Sequence, residues 1–240
     1  MAFISIQNKK VHYQTWGRGE PFLFVHGWGG SIQSLTPLAK LFASTNKSFL
    51  VDLPGFGETE NPDPDWGIKE YTDVIVKLIN ELHLKNVIYF GHSFGGALGI
   101  YLSANYPNII DKLILCGASY KRNTDKQKIP EFVRVFFDNI PFLKKLVYKI
   151  FFPTSDLLMF PQLESNFKKI VAEDLTNLLK KIKIDTLILW AENDTETPVE
   201  NAHELQKKIK HSVLKIFPDT THNLPIKNPE LLFPQIKKFL

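Results

Sequence analysis

The sequence predicts an α/β fold, with a mostly parallel central sheet and helices on both of its faces. Three observations carry this. Short, wholly apolar runs occur at 22–25 (FLFV), 87–90 (VIYF) and 113–116 (LILC). Strands buried on both faces read this way, without polar alternation. These runs alternate with helical periodicity, as where Val74, Ile75, Leu78, Ile79 and Leu82 share one face of the stretch 71–84. Strand-then-helix alternation is the pattern of a parallel sheet covered on both sides.

Taken in order, Ile4–Ile6 and 11–13 are β-like segments around residues 7–10 and predict an N-terminal antiparallel hairpin. Residues 17–21 (GRGEP) form a turn cluster, followed by the strand 22–25. A helix follows around 35–42, then a strand at 48–51, a Pro- and Asp-rich loop at 60–67, and the helix 71–84. The strand 87–90 runs into a helix that ends before Pro107, and 113–116 is the sixth strand. After a long helical middle region come a strand at 186–190, a helix at 199–209, a strand at 213–217 and a closing helix at 229–240. The loops at 26–30, 52–57, 91–96, 191–198 and 218–223 all follow strands. In open α/β sheets the strand carboxyl ends are where ligands bind, so these loops should gather on one edge.

Composition narrows the function classes. At 240 residues the chain fits one domain with an insertion. A hydrophobic share of 44% and a charged share of 22% are those of an ordinary globular protein. The net charge of +4 is spread along the chain without a run of five basic residues, which argues for solvated surface and against nucleic acid as a partner. The single cysteine, Cys116, lies in an apolar strand and reads as a buried small hydrophobe in a reducing compartment. The N-terminus MAFISIQNKK lacks a signal-peptide pattern, and no apolar run reaches transmembrane length, so the expected location is cytoplasmic.

The chemistry centres on GHSFGG at 91–96, where a strand meets a helix with Ser93 at the apex. A G-x-S-x-G at that junction reads as a nucleophile elbow. Alone, it is equally the mark of a Gly/Ser turn. A serine hydroxyl needs a base, and the base needs an orienting acid. The candidate base is His222 in PDTTHN, after the last strand. His26 and His92 stand beside glycines inside tight loops and shape them. His83, His203 and His211 fall in or beside surface helices, and His12 in the hairpin. The candidate acid is Asp194 in WAEND, with Glu192 and Glu196 as rivals; Asp194 is preferred because a loop needs a few residues to turn across to its neighbour. Donors for a developing oxyanion would be the backbone N–H groups of Phe94 and Trp28, the latter in HGWGG. The order Ser93, Asp194, His222 across three separate loops is far more specific than any one motif.

On HGWGG, DLPGFG, GHSFGG, LILWAEND and PDTTHN, the chain resembles the α/β-hydrolase family in its lid-bearing serine-esterase branch, over nearly its whole length. Two positions depart from the family pattern, Ala191 and Thr221, where glycine is frequent. The resemblance implies a core domain at 1–118 and 184–240 and a helical lid at 119–183, inserted after the sixth strand. It implies a substrate pocket drawn from Trp28, Phe94, Phe132, Phe136, Phe137, Phe151, Phe152 and Phe160. No metal-ligand spacing or phosphate loop is visible, so no metal and no cofactor is expected. The expected activity is hydrolysis of carboxylic esters with small to medium apolar acyl groups, through an acyl-enzyme, by a monomer or homodimer. A C–C bond hydrolase, a prolyl aminopeptidase and a slow-turnover ligand sensor share these motifs and stay open. The basic, aromatic segment 121–181 would form a solvated lid surface; lying on an anionic membrane surface is the alternative.

Overall fold

Residues 2–121 and 159–240 are described by a computed structural model. Eight strands form one sheet: β1 (Ala2–Ile6), β2 (Lys9–Gly17), β3 (Glu20–Val25), β4 (Asn46–Val51), β5 (Ile88–His92), β6 (Lys112–Cys116), β7 (Thr186–Ala191) and β8 (Ser212–Phe217). Their order is β1-β2-β4-β3-β5-β6-β7-β8. β2 runs antiparallel to β1 and β4, and every other pairing is parallel. The α/β-hydrolase fold is thus present, with its N-terminal hairpin. That hairpin turns on only two residues, Gln7 and Asn8, with φ of 52° and 59°. Positive φ at both central positions matches the twist of the flanking strands.

The helices are α1 (Ile32–Leu41), α2 (Ile68–Glu81), α3 (Phe94–Asn105), α4 (Glu164–Ala172), α5 (Val199–Lys208), α6 (Leu224–Lys227) and α7 (Pro229–Phe239). Two apolar layers sandwich the sheet. On one face Val74, Ile75 and Leu78 of α2, Leu98 and Leu102 of α3 and Leu205 of α5 pack on Leu23, Tyr89, Leu113 and Trp190. On the other, Leu35 and Leu38 of α1 and Leu232 and Ile236 of α7 pack on Phe22, Phe24, Phe90 and Leu189. Residues of the central strands alternate between the layers, which is why the runs 22–25, 88–90 and 113–115 lack polar positions.

α1 and α2 each start three residues earlier than their apolar periodicity alone predicts, because carboxylates hold their first N–H groups. Asp52 accepts from Ile32 N–H at 2.7 Å, and Glu173 accepts from Ile68 N–H at 3.1 Å. An anionic side chain at a helix N-terminus also meets the positive end of the helix dipole. The amphipathic pattern at 162–181 is not one helix. It divides into a 3-10 turn (Pro161–Leu163), α4 and a second 3-10 turn (Thr176–Lys181). The break serves the contacts of Glu173 with α2 and of Leu175 N–H with the Tyr120 carbonyl, at 2.8 Å. No helix among the described residues is long and apolar enough to cross a membrane.

Candidate active site

β5 ends at His92, and α3 begins at Phe94. Ser93 between them has φ 50° and ψ −110°. A non-glycine residue in this region stores strain that the surrounding packing must hold. The packing is tight. A Cβ on Gly91 would stand 2.3 Å from the Gly95 carbonyl oxygen, and one on Gly95 would stand 2.2 Å from that of Val25. Only hydrogen fits at either position. The turn is pinned by Ser93 N–H donating to Cys116 O at 3.0 Å and by Tyr89 Oη–H donating to Gly95 O at 2.8 Å. As the first residue of α3, Phe94 presents an N–H that has no partner inside the helix.

The loop after β3 lies against this elbow. Gly27 leaves little room for a side chain, since its Cβ would be 3.1 Å from Ser93 Cβ. Gly30 N–H donates to Gly27 O at 3.0 Å, closing the turn that contains Trp28. His26 ties this loop to the next one. Its Nδ1–H donates to Gly27 O at 2.7 Å, while its Nε2 accepts from Leu53 N–H at 3.0 Å. Burial lowers the His26 pKa, so the ring stays neutral in this role.

Asp52 is a hub beneath the same edge. It accepts from Ile32 N–H, from Glu58 N–H at 3.0 Å and from His12 Nδ1–H at 2.7 Å, and the Asp52 and His12 side chains are nearly out of solvent. Gly57, at φ 55°, is obligatory there because its Cβ would fall 2.1 Å from Asp52 Cγ. The DLPGFG motif therefore builds the loop edge. His12, in the hairpin, is a buried partner of that carboxylate.

Asp194 and His222 meet. His222 Nδ1–H donates to Asp194 Oδ2 at 2.7 Å, with the carboxylate side chain 1% exposed and the imidazole 15%. Asp194 Oδ1 accepts from the N–H groups of Glu196 (2.9 Å) and Thr197 (2.8 Å), and Thr197 Oγ1–H donates to Oδ2 at 2.9 Å. Burial alone would raise the Asp194 pKa. The hydrogen bond and charge of His222 and the two bonds from Thr197 outweigh it, and the net shift is downward. Glu192 is exposed and accepts from Asp219 N–H at 3.4 Å, on the outside of the loop. The acid and histidine loops are stitched by Asn193 N–H donating to Thr220 O at 3.0 Å. Gly117 (φ 55°) lies beside the pair, where a Cβ would be 3.3 Å from both His222 Nδ1 and Asp194 Oδ2. Neither Ala191 nor Thr221 has positive φ, so both fit without glycine.

The structure brings Asp194 and His222 into hydrogen-bond contact and sets Ser93 one residue from His92, whose ring centroid is 4.9 Å from that of His222. A Ser93–His222 hydrogen bond is not among the contacts of the described residues. Such bonds are often long without substrate and tighten once it is bound.

Aromatic rings cluster over the elbow. Trp28 packs against Phe94 (5.6 Å between centroids), Phe56 (5.0 Å) and Phe167 of α4 (5.2 Å), and Phe160 packs on Phe56 (5.2 Å). Of the expected pocket residues, Trp28, Phe94 and Phe160 are brought together. Phe132, Phe136, Phe137, Phe151 and Phe152 lie outside the described residues, as do Arg122, Lys126, Lys128, Lys144, Lys145 and Lys149 of the basic segment. Sequence reasoning missed Phe56, Phe167 and Thr197. Phe56 was legible within DLPGFG, and Thr197 carried only its spacing of three from Asp194.

The model of the alpha/beta hydrolase fold family matches residues 20–160. That is more than half of the chain, and the chain belongs to this family of hydrolases. It is 28% identical over 216 residues to an AB hydrolase superfamily protein, YisY, of Bacillus subtilis, covering 79% of this chain and 80% of that one. The curated relatives that follow it are spanned over less than half of their length. The esterase EaEST from Exiguobacterium antarcticum superposes with a TM-score of 0.79 at 22% identity, over 99% of this chain and 98% of that one. A meta-cleavage product hydrolase from Pseudomonas fluorescens IP01 does so with a TM-score of 0.77 at 21% identity, over 100% and 97%. Both structural likenesses concern the fold.

Proposed function

We propose that the protein is a serine hydrolase that cleaves carboxylic esters of small to medium apolar acyl groups. The observation that carries this reading is the 2.7 Å His222–Asp194 hydrogen bond, standing beside a serine held at φ 50° between a strand and a helix. In this reading Ser93 Oγ attacks the ester carbonyl carbon while His222 Nε2 takes its proton. Asp194 holds the Nδ1–H tautomer and stabilises the imidazolium. The oxyanion sits against the N–H groups of Phe94 and Trp28. Collapse of the tetrahedral intermediate breaks the ester C–O bond, and His222 returns the proton to the leaving alkoxide. A water deprotonated by His222 then attacks the acyl-serine, and the carboxylic acid leaves as Ser93 regains its proton.

The ring cluster of Trp28, Phe56, Phe94, Phe160 and Phe167 supports an apolar acyl group. The segment 119–183 acts as a lid in this reading, supported by Phe160 and Phe167, which reach the Trp28–Phe56 edge from its returning half. Lactones are cyclic esters and fall under the same chemistry. A cytoplasmic location belongs to the reading, supported by the one cysteine being free and buried. The test is turnover of a p-nitrophenyl ester chain-length series by the wild type and by Ser93→Ala. Turnover with short and medium acyl chains that vanishes in the variant supports the reading. No Ser93-dependent turnover with any ester would end it.

A further inference from the structure

His92 ends β5 and immediately precedes Ser93. The residue is 4% exposed, too buried for one that serves only as a surface turn residue. Its Nε2 lies 3.0 Å from the main-chain carbonyl oxygen of His222. A carbonyl only accepts, so Nε2 carries the proton and donates it. The other nitrogen, Nδ1, faces the loop after β3, where a Cβ on Gly27 would be 3.2 Å away. The His92 and His222 rings lie 4.9 Å apart at 39°.

We propose that His92 is a positioning residue for His222: its Nε2–H, mounted on the same strand end as Ser93, fixes the main chain of residue 222 relative to the serine. This rests on the reading of Ser93 and His222 as nucleophile and base. β8, which launches the histidine loop, is the last strand of the sheet, and among the described residues no strand braces its outer side. The Asp194 bond fixes one ring nitrogen of His222, but a ring held at one point still tilts with its backbone. The His92 bond fixes that backbone from the β5 side. Two ties from different strands leave the imidazole little freedom except at its Nε2 end, where the serine proton must be taken.

The charge state fits this role. Burial, then the nearby charge of His222, pushes the His92 pKa down to about 3; the hydrogen bond to the His222 carbonyl and the field of Asp194 act the other way, and His26 acts in the same sense as His222. His92 therefore remains a neutral donor at neutral pH. It adds no second cation beside the imidazolium that forms during proton transfer.

The experiment compares His92→Gln, whose amide N–H reaches toward the Nε2 position, with His92→Leu, which has similar bulk and no donor. The readouts are kcat and KM on the best p-nitrophenyl ester and the rate of Ser93 labelling by a fluorophosphonate, with thermal melts as the folding control. In His92→Leu, kcat and the labelling rate should each fall by a factor on the order of ten or more, the size of one hydrogen bond to a critical group, with KM little changed. In His92→Gln most of that loss should be regained. Equal behaviour of the two folded variants, or a loss confined to KM, would overturn the proposal. Should His92→Leu fail to fold, the imidazole nitrogen signals of the wild type decide. A neutral Nε2–H tautomer of His92 that shifts when Ser93 is phosphonylated supports it, and an Nδ1–H tautomer or an imidazolium at neutral pH overturns it. Failure here alongside intact Ser93-dependent turnover leaves the esterase reading standing. Loss of Ser93-dependent turnover and labelling in the wild type removes both.

Discussion

His222 Nδ1 and Asp194 Oδ2 lie 2.7 Å apart, joining the loops that leave the neighbouring parallel strands β8 and β7. In Asp194→Asn the amide keeps the shape but removes the charge that stabilises an imidazolium, and it offers an N–H where an acceptor is needed. Ester turnover should fall by about four orders of magnitude, mostly in kcat. Glu192→Gln, on the outer side of the same loop, should leave turnover unchanged. Steady-state kinetics of the two variants distinguish the carboxylates, and a large loss in Glu192→Gln would move the role of acid.

Thr197 places two donors on Asp194, its N–H and its hydroxyl, and its carbonyl accepts from Trp190 Nε1–H at 2.9 Å. Thr197→Val deletes only the hydroxyl. A hydrogen bond to a charged group contributes about 1.5–3 kcal/mol, so the variant should be destabilised by about that amount. Denaturant unfolding checks it. The downward shift of Asp194 should shrink as well, so the stability lost below the unfolded carboxylate pKa should be smaller and the loss should end at higher pH than in the wild type. Identical profiles would show that the hydroxyl is not a functional donor.

Glu204 on α5 accepts from Lys121 at 2.5 Å, from Lys208 at 2.7 Å and from Tyr120 Oη–H at 2.9 Å. Tyr120 and Lys121 are the last described residues before the region 122–158, so this carboxylate clamps the exit from β6 to the core. The Lys121 and Lys208 bonds, with some help from Tyr120, hold its pKa at about 2 against an ordinary 4.5. A carboxylate depressed in the folded state binds fewer protons there than when unfolded. Its stabilisation is therefore complete above pH 4.5 and disappears as the pH falls toward 2. The melting temperature of Glu204→Gln should lie a few degrees below wild type at neutral pH, and the two should converge as the pH approaches about 2. A constant gap across that range would show that the clamp is packing and not charge.

The sheet was legible because its strands are buried on both faces and so are written in unbroken apolar letters, as in 22–25 and 113–116. The positions of Ser93 and Asp194 at strand ends were legible for the same reason, since each follows such a run; His222 follows the half-exposed edge strand SVLKIF, which Lys215 interrupts. What was not legible depends on residues far apart in the chain. Nothing local to Glu173 says that it accepts from Ile68 N–H, and that contact is what breaks the 162–181 pattern into separate turns. Asp52 looked like part of a loop motif. Its burial against His12 needs strand β2 to lie beside β4, a pairing that no local pattern encodes. Phe167 carried only a helical apolar periodicity, and its contact with Trp28 depends on where α4 docks.

That contact gives the most direct test of the acyl pocket. Phe167 is half-buried, with its ring 5.2 Å from that of Trp28, and Trp28 in turn lies 5.6 Å from Phe94 beside the elbow. If these rings bound the acyl chain, truncating the outer one lengthens the space without touching the elbow. Phe167→Ala should shift the chain-length preference toward longer esters. Each further methylene accommodated is worth about 0.8 kcal/mol, so kcat/KM for a long acyl chain relative to a short one should rise by about fourfold per methylene over wild type. The ratio cancels any uniform loss of active protein, which matters because removing a partly buried ring also costs stability. The p-nitrophenyl ester series measures it directly. An unchanged ratio in a folded variant would place the acyl chain on the other side of Trp28, toward Phe56 and Phe160, and Phe160→Ala would then be the variant that moves the preference.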